Sequence, residues 1–347
     1  MKDNNKKSIS LIITGDIMLG GTLSAGLKKY NYSHLRDCFQ DADIVFGNLE
    51  APFSNQGQPQ ENKILLSQPP EAVELIDYLG FNVLSLGNNH IMDYGEKGLD
   101  ETLRILSENN IQYIGAGNDL AQARKPAEFS MCGIKVSILG YASQSTEKSN
   151  PLVYARENKK GLAEFNMEVI KEDIKRAKAQ GTDIVVVSLH WGEEMYHFPY
   201  PEQRKQAHEI IDMGANIIAG HHPHLLQGVE KYKNGVILYS LGNFIFGEFI
   251  MPNDKWYRWS PRNRLSAYLE FTVGKQGILS YNVVPLWIGK ELIPSQAKKI
   301  SCRRAIERFS KILSSPDYER LFKGIKAKEN QAIFWDKVKR RFLGYGL

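Results

Sequence analysis

The 347-residue sequence predicts an α/β protein built around a largely parallel sheet, and three observations carry that prediction. Short runs rich in Ile, Val and Leu alternate with amphipathic helical spacings, the texture of right-handed βαβ units. The runs are apolar throughout, as strands covered on both faces are. Several of them also stop on a glycine that is followed by an acid, an amide or an imidazole. Ligand chemistry in open α/β sheets collects beyond the carboxyl ends of the strands, so these side chains stand where a site is expected.

Taken in order, Leu11-Ile12-Ile13 is the first strand and ends on Thr14-Gly15-Asp16. Asp43 to Phe46 leads into Gly47-Asn48-Leu49-Glu50, and Asn82 to Leu86 into Gly87-Asn88-Asn89-His90. Asp183 to Leu189 breaks into His190-Trp191-Gly192, and Asn216 to Ala219 into Gly220-His221-His222-Pro223-His224. Glycine permits the sharp turn and close backbone approach that let the next side chain enter a shared cavity.

Helical spacing covers Pro70 to Leu79 through Ala72, Leu75, Ile76 and Leu79, and Gly98 to Asn109 through Leu99, Leu103 and Leu106. Glu168 to Gln180 and Pro201 to Met213 read as two more amphipathic helices. Ile111 to Ile114 is a strand. Ala127–Met131 with Ile134–Tyr141, and Leu226–Tyr232 with Val236–Tyr239, read as hairpins. Ser143 to Lys160 reads as a surface loop, and Phe249 to Arg264 as an aromatic, basic loop. Leu265 to Val273 and Ile278 to Trp287 alternate as antiparallel strands, which points to a second sheet or a mixed edge.

Hydrophobic content of 42% and charged content of 24% are those of a globular chain. No window approaches the ~20 apolar residues of a membrane helix, and Met1 to Lys7 runs into the first strand without a signal-peptide core. Three scattered cysteines suggest neither a disulfide framework nor a thiolate zinc site. The net charge of +5 belongs to the tail: residues 297–347 hold 14 Lys and Arg against 5 Asp and Glu. The body is therefore slightly acidic and carries no base-reading motif, so no nucleic-acid partner is expected.

Two domains are expected, 1–295 and a basic helical extension over 296–347. In the extension, Phe334, Trp335, Val338 and Phe342 share a helix face, with Lys337, Lys339, Arg340 and Arg341 around it. Such a helix suits either an anionic membrane surface or docking on the body with its lysines in water. The expected location is cytoplasmic, peripheral to the inner face of the membrane if the tail attaches there.

Carboxylates, imidazoles and an amide, without thiolate, suit Mn, Fe, Zn or Mg. The candidate donors are Asp16, Glu50, Asn89, His190, His221, His222 and His224. They exceed what one ion uses. Two ions about 3.5 to 4 Å apart, sharing a carboxylate, would generate a nucleophile from water at neutral pH. His90 is the candidate general acid, and Asp16 belongs to the catalytic set as well as to the donors. Asn48, Asn88, Trp191, Glu194, Asn243, Arg262 and Arg264 are candidates for contact with an anionic polymer or a phosphorylated substrate.

As a set, Thr14-Gly15-Asp16, Gly47-Asn48-Leu49-Glu50, Gly87-Asn88-Asn89-His90, His190-Trp191-Gly192, Gly220 to His224 with Leu226-Gln227, and Tyr239-Ser240-Leu241-Gly242-Asn243-Phe244 resemble the capsule synthesis protein CapA family. That family is associated with bacterial poly-γ-glutamate capsule synthesis and is related to the calcineurin-like metallophosphoesterases. The resemblance spans roughly Ser8 to Trp287. It implies a four-layer α-β-β-α sandwich of two mixed sheets with the metal site at one edge.

The resemblance also implies roles. Asp16 takes the place of the first metal-binding aspartate and Glu50 that of a bridging carboxylate. Asn89 matches the metal-binding asparagine, and His90 the catalytic histidine beside it. His190 matches a later histidine ligand, as do His222 and His224, with His221 able to replace His222 by one residue of register. Two departures stand out: Met18 occupies the place of a histidine ligand on the first strand, and Glu50 replaces the usual aspartate. The implied activity is metal-dependent hydrolysis in capsule or exopolymer synthesis. The rival is a non-catalytic assembly factor that binds a polyanion on the same fold.

Overall fold

The computed structural model describes residues 7–24, 27, 29–252, 254–297 and 300–343. Met1 to Lys6 and the side chains of Lys337, Lys339, Arg340, Arg341 and Phe342 lie outside the described residues. In chain order the strands are β1 (Ile9–Met18), β2 (Ile44–Leu49), β3 (Val83–Ser85), β4 (Gln112–Ile114), β5 (Ala116–Gly117), β6 (Ala127–Met131), β7 (Ile134–Ala142), β8 (Gly161–Leu162) and β9 (Ile184–His190). They continue with β10 (Ile217–His221), β11 (Val229–Tyr232), β12 (Gly235–Leu238), β13 (Asn243–Phe246), β14 (Phe249–Ile250), β15 (Trp256–Tyr257), β16 (Leu265–Gly274), β17 (Gly277–Ile288) and β18 (Pro294–Gln296). The α-helices are α1 (Ser33–Phe39), α2 (Val73–Tyr78), α3 (Gly95–Glu108), α4 (Leu120–Ala123), α5 (Met167–Ala179), α6 (Pro201–Asp212), α7 (Ile300–Leu313) and α8 (Tyr318–Leu343).

Two mixed sheets face each other. One has eight strands in the order β18-β17-β16-β1-β2-β3-β4, with β13 pairing the end of β1. The other runs β11-β12-β10-β9-β7-β6, parallel at its centre and antiparallel at both edges. The period of two along a strand explains the layers. Leu11, Ile13, Ile44 and Phe46 meet Val136, Ile138, Val186 and Ala219 between the sheets. Their neighbours Ile12, Val45 and Leu84 turn outward onto Leu35, Ile76 and Leu103 of α1, α2 and α3. Val185, Val187 and Leu189 likewise turn onto Ile170, Ile174 and Ile210 of α5 and α6. Every central strand is thus covered on both faces, which is why its sequence reads as an unbroken apolar run. This is the expected α-β-β-α sandwich.

At the carboxyl ends of β1 and β10, each strand's backbone lies close to that of a neighbouring segment of its own sheet. A Cβ on Gly15 would lie 2.0 Å from the Gly242 carbonyl oxygen, and one on Gly220 would lie 2.0 Å from that of Tyr239. Only glycine allows these approaches; the first is followed by Asp16 and the second by His221, whose ring lies against Asp16.

The structure adds detail to two segments. The aromatic loop contains the β14–β15 ribbon and a short 3-10 helix, Pro261–Arg264. The basic extension is two helices, α7 and α8, and its first part joins the body: Leu313, Tyr318 and Phe322 are buried in the outer layer of the second sheet. Val229 N–H donates to Ser310 Oγ at 3.0 Å, and the Tyr318 hydroxyl donates to the Pro199 carbonyl at 2.6 Å. Among the described residues, no helix is long and apolar enough to cross a membrane.

Candidate metal centre

Parallel pairing sets Asp16 of β1 beside Asn48 of β2 and Asn243 of β13. In the second sheet His221 of β10 is level with His190 of β9. The two facing sheets therefore bring their donor-bearing ends to one edge. Asp16, Glu50, His190, His221 and His222 are at most 2% exposed, and Asn89, His90 and His224 are nearly as buried.

Two clusters of donor atoms form, each with its atoms within 4.8 Å of one another: Glu50, His190 and His222, and Asp16, Glu50 and His224. Glu50 belongs to both. Its Oε1 is 3.4 Å from His224 Nε2 and 3.7 Å from His190 Nε2. Asn89 extends the first cluster, with Oδ1 2.8 Å from His190 Nε2. In the second, Asp16 Oδ2 is 3.5 Å from His224 Nδ1. His221 lies outside both clusters and places Nδ1 3.2 Å from Asp16 Oδ1. The geometry therefore favours His222 over His221 as the donor next to His190, with His221 behind Asp16.

Buried polar atoms without hydrogen-bond partners are rare and call for an explanation. Glu50 Oε1, which faces His224 and His190, and His222 Nδ1 are two such atoms on residues of the clusters, and both ring nitrogens of His221 beside Asp16 are others. Electrostatics agree with a site built for cations. Burial, and then the nearby Asp16 charge, raise the Glu50 carboxyl well above its ordinary range. Burial, and then neighbouring imidazoles, hold His190 and His222 well below theirs, so both rings are neutral at physiological pH, the form in which imidazole binds a metal. The backbone is strained at the same place: His222 and His224 adopt positive φ of 98° and 52°. For residues other than glycine that costs on the order of 1–3 kcal/mol each.

Amides fix the carboxylates. The Asn48 side-chain amide donates to Asp16 Oδ1 at 2.9 Å and to Glu50 Oε2 at 3.2 Å. Asn88 donates to Asn48 Oδ1 and to the Leu49 carbonyl, while its own oxygen accepts from the His90 and Ile91 N–H groups. Asn243 Oδ1 is 2.9 Å from His224 Nδ1, and Asn263 donates to the His224 carbonyl.

The other predicted substrate contacts lie in varied settings. Trp191 is buried and stacks on Tyr239. Arg262 pairs with Glu329 and Asp336 of α8, and Arg264 donates to the Ile288 and Gly289 carbonyls. Glu194 is exposed, and close enough to add to the upward shift of Glu50. Met18 packs in the helix-side core, where its sulfur accepts the Gly20 N–H at 3.1 Å.

Two buried residues escaped the sequence reading. Asp93 Oδ2 is 2.8 Å from His90 Nδ1, and Lys63 Nζ is 2.7 Å from Asp93 Oδ1. The His-x-x-Asp spacing after the third strand was a usable signal for Asp93; nothing in the sequence around Lys63 marked it.

Residues 10–248 match the family described as bacterial capsule synthesis protein PGA_cap. The chain is 32% identical over 297 residues to the capsule biosynthesis protein CapA of Bacillus anthracis, covering 82% of this chain and 69% of that protein. It is 33% identical over 303 residues to the PGA biosynthesis protein CapA of Bacillus subtilis (strain 168), covering 85% and 76%. Among solved structures, a 5'-nucleotidase precursor from Thermus thermophilus aligns with a TM-score of 0.49 at 17% identity. That alignment covers 88% of this chain and 58% of the nucleotidase, so the chain spans little more than half its length. A calcineurin-like phosphoesterase from Bacillus subtilis aligns with a TM-score of 0.45 at 13% identity, covering 88% and 97%.

Proposed function

Because the chain belongs to the bacterial capsule synthesis protein family PGA_cap, we propose that it is a metal-dependent hydrolase serving the synthesis of capsule, poly-γ-glutamate or another anionic exopolymer. The observation that carries the proposal is Glu50, one carboxylate shared by two donor clusters. A single structural ion would not call for that sharing, whereas a pair of ions uses it.

The donor set fits divalent cations. Glu50, His190 and His222 with Asn89 would hold one ion, and Asp16, Glu50 and His224 the other. Ions bound there would polarise the oxygen of a phosphoester or amide and acidify a water for attack. The chain's own residues supply the rest. Asn48 keeps the Asp16 and Glu50 carboxylates in place. Asp93, which as a carboxylate can only accept, takes the hydrogen bond of His90 Nδ1–H, and in the doubly protonated ring the Nε2–H would be the proton given to a leaving group.

The substrate class we assign is a phosphorylated or γ-glutamyl compound of an anionic polymer pathway. The test is turnover of phosphoesters and of γ-glutamyl amides by purified protein with Mn, Fe, Zn or Mg supplied, alongside metal analysis before any addition. Close to two ions per chain with His90-dependent turnover supports the proposal. No turnover, combined with salt-sensitive binding of poly-γ-glutamate, would establish the assembly role instead. In that role a polymer would have to compete for Arg262 with Glu329 and for Arg264 with the Gly289 carbonyl.

A further inference from the structure

We propose that Lys63 is a positioning residue that holds His90 and Asn89 at once, the first through Asp93 and the second through its main-chain carbonyl. The inference takes from the metal-site reading only the identity of the groups being positioned.

Lys63 lies in the irregular segment between β2 and α2, yet its side chain is only 3% exposed. Lysines are almost never that buried unless paired. An ammonium has three N–H donors and no acceptor, and a carbonyl oxygen and two carboxylates at ion-pair distance surround this one. Asp93 Oδ1 is at 2.7 Å, the Asn89 carbonyl oxygen is in hydrogen-bond contact, and Glu147 Oε2 is at 3.7 Å. The other oxygen of Asp93 meets His90 Nδ1 at 2.8 Å and the Leu66 N–H at 2.7 Å. One buried cation therefore fixes the carboxylate that orients the His90 ring and the backbone that presents the Asn89 amide.

These two residues act on different parts of the chemistry. Asn89 presents Oδ1 to His190 and extends the first donor cluster, whereas the role proposed for His90 is that of proton donor. Lys63 joins them across the Asn88-Asn89-His90 turn, and Glu147 anchors it from the segment that follows β7. A buried ion pair can also serve stability alone. The two roles differ in what they predict for metal affinity and for the His90 ring.

The experiment uses the full chain stripped of metal. Lys63→Met keeps the alkyl stem and removes the charge; Lys63→Gln keeps a donor without the charge. Mn²⁺ affinity is measured by calorimetry, the His90 ring nitrogens by ¹⁵N NMR, and folding by circular dichroism and thermal melts. Lys63→Met should weaken Mn²⁺ binding roughly tenfold, the scale of losing an outer-shell support. It should also shift the His90 Nδ1 resonance, and Lys63→Gln should fall between it and the wild type. If Lys63→Met does not fold, Lys63→Gln decides. Folded variants with wild-type Mn²⁺ affinity and unchanged His90 resonances, whatever their melting temperature, would overturn the proposal. A wild type that hydrolyses nothing would defeat the hydrolase reading, while the Mn²⁺ and NMR results would still decide the role of Lys63.

Discussion

Replacing Glu50 by glutamine strikes both donor clusters at once, because Glu50 Oε1 lies 3.4 Å from His224 Nε2 and 3.7 Å from His190 Nε2. Asp16 and His190 each belong to one cluster only. Metal analysis should therefore find close to two ions in the wild type, about one in Asp16→Asn and in His190→Ala, and almost none in Glu50→Gln. An ion present at 100 times its Kd stabilises the fold by about 2.7 kcal/mol. Two ions would contribute about 5 kcal/mol, and at roughly 1–2 °C per kcal/mol for a chain of this length the metal-dependent rise in Tm should be on the order of 5–10 °C. Glu50→Gln should lose nearly all of it. Without metal the sign reverses. Burial and the Asp16 charge raise the folded pKa of Glu50 above the ordinary 4.5, so the folded state holds the proton more tightly than the unfolded chain. The stability linked to that proton is fully present below about 4.5 and is lost as pH rises toward the raised value. Glutamine removes this loss, and metal-free Glu50→Gln should melt higher than the metal-free wild type at neutral pH. Thermal melts with and without EDTA measure both arms. A Glu50→Gln protein that keeps two ions, or melts below the wild type when both are metal-free, would refute the shared-carboxylate argument.

Three further outcomes are expected. His90→Ala should retain both ions and lose turnover by about 10²–10⁴-fold, the usual scale of general acid catalysis; loss of metal as well would place His90 among the ligands. Metal-free protein should lose stability as pH falls below about 6.5, because the unfolded chain takes up protons that the depressed His190 and His222 do not accept in the fold. Urea melts across that range should show a shallower slope for His222→Gln. Deleting residues 318–347 removes the buried Tyr318 and Phe322, each worth about 3–5 kcal/mol in a core. The truncated chain should therefore show a clearly lower urea midpoint, and an unchanged midpoint would mean that α8 is a detachable appendage.

Much of the site could be read from the sequence because parallel strands of one sheet end at one edge, so a residue's place after its strand fixes its place in the cavity. Asp16, Glu50, Asn89 and His190 follow that rule. The choice between His221 and His222 did not follow it. His222 and His224 take positive φ, and the period of two that assigns faces within a strand stops where the backbone turns left-handed. Lys63 was hidden for another reason. Its segment has neither helical nor strand period, and its partners Asp93 and Asn89 are about thirty positions away in sequence. The arginines show the converse: the charges of Arg262 and Arg264 were visible, but their partners Glu329, Ile288 and Gly289 were not.

Met18 bears on how many donors each cluster holds. Its sequence position says that a ligand expected on the first strand is missing; its packing shows that the space is core, with the sulfur accepting the Gly20 N–H. The two clusters are therefore unequal. One draws on Glu50, His190, His222 and the Asn89 amide, and the other on Asp16, Glu50 and His224 alone. A fourth donor and two imidazoles favour the first, so the ions should enter in order, the Asn89 side filling before the Asp16 side. Calorimetric titration of metal-free protein with Mn²⁺ should accordingly resolve a tight and a weaker event. His190→Ala should remove the tight one and Asp16→Asn the weaker. Two equal events, or the reverse assignment, would show that the missing ligand at Met18 is made good elsewhere, with His221 behind Asp16 the first place to look.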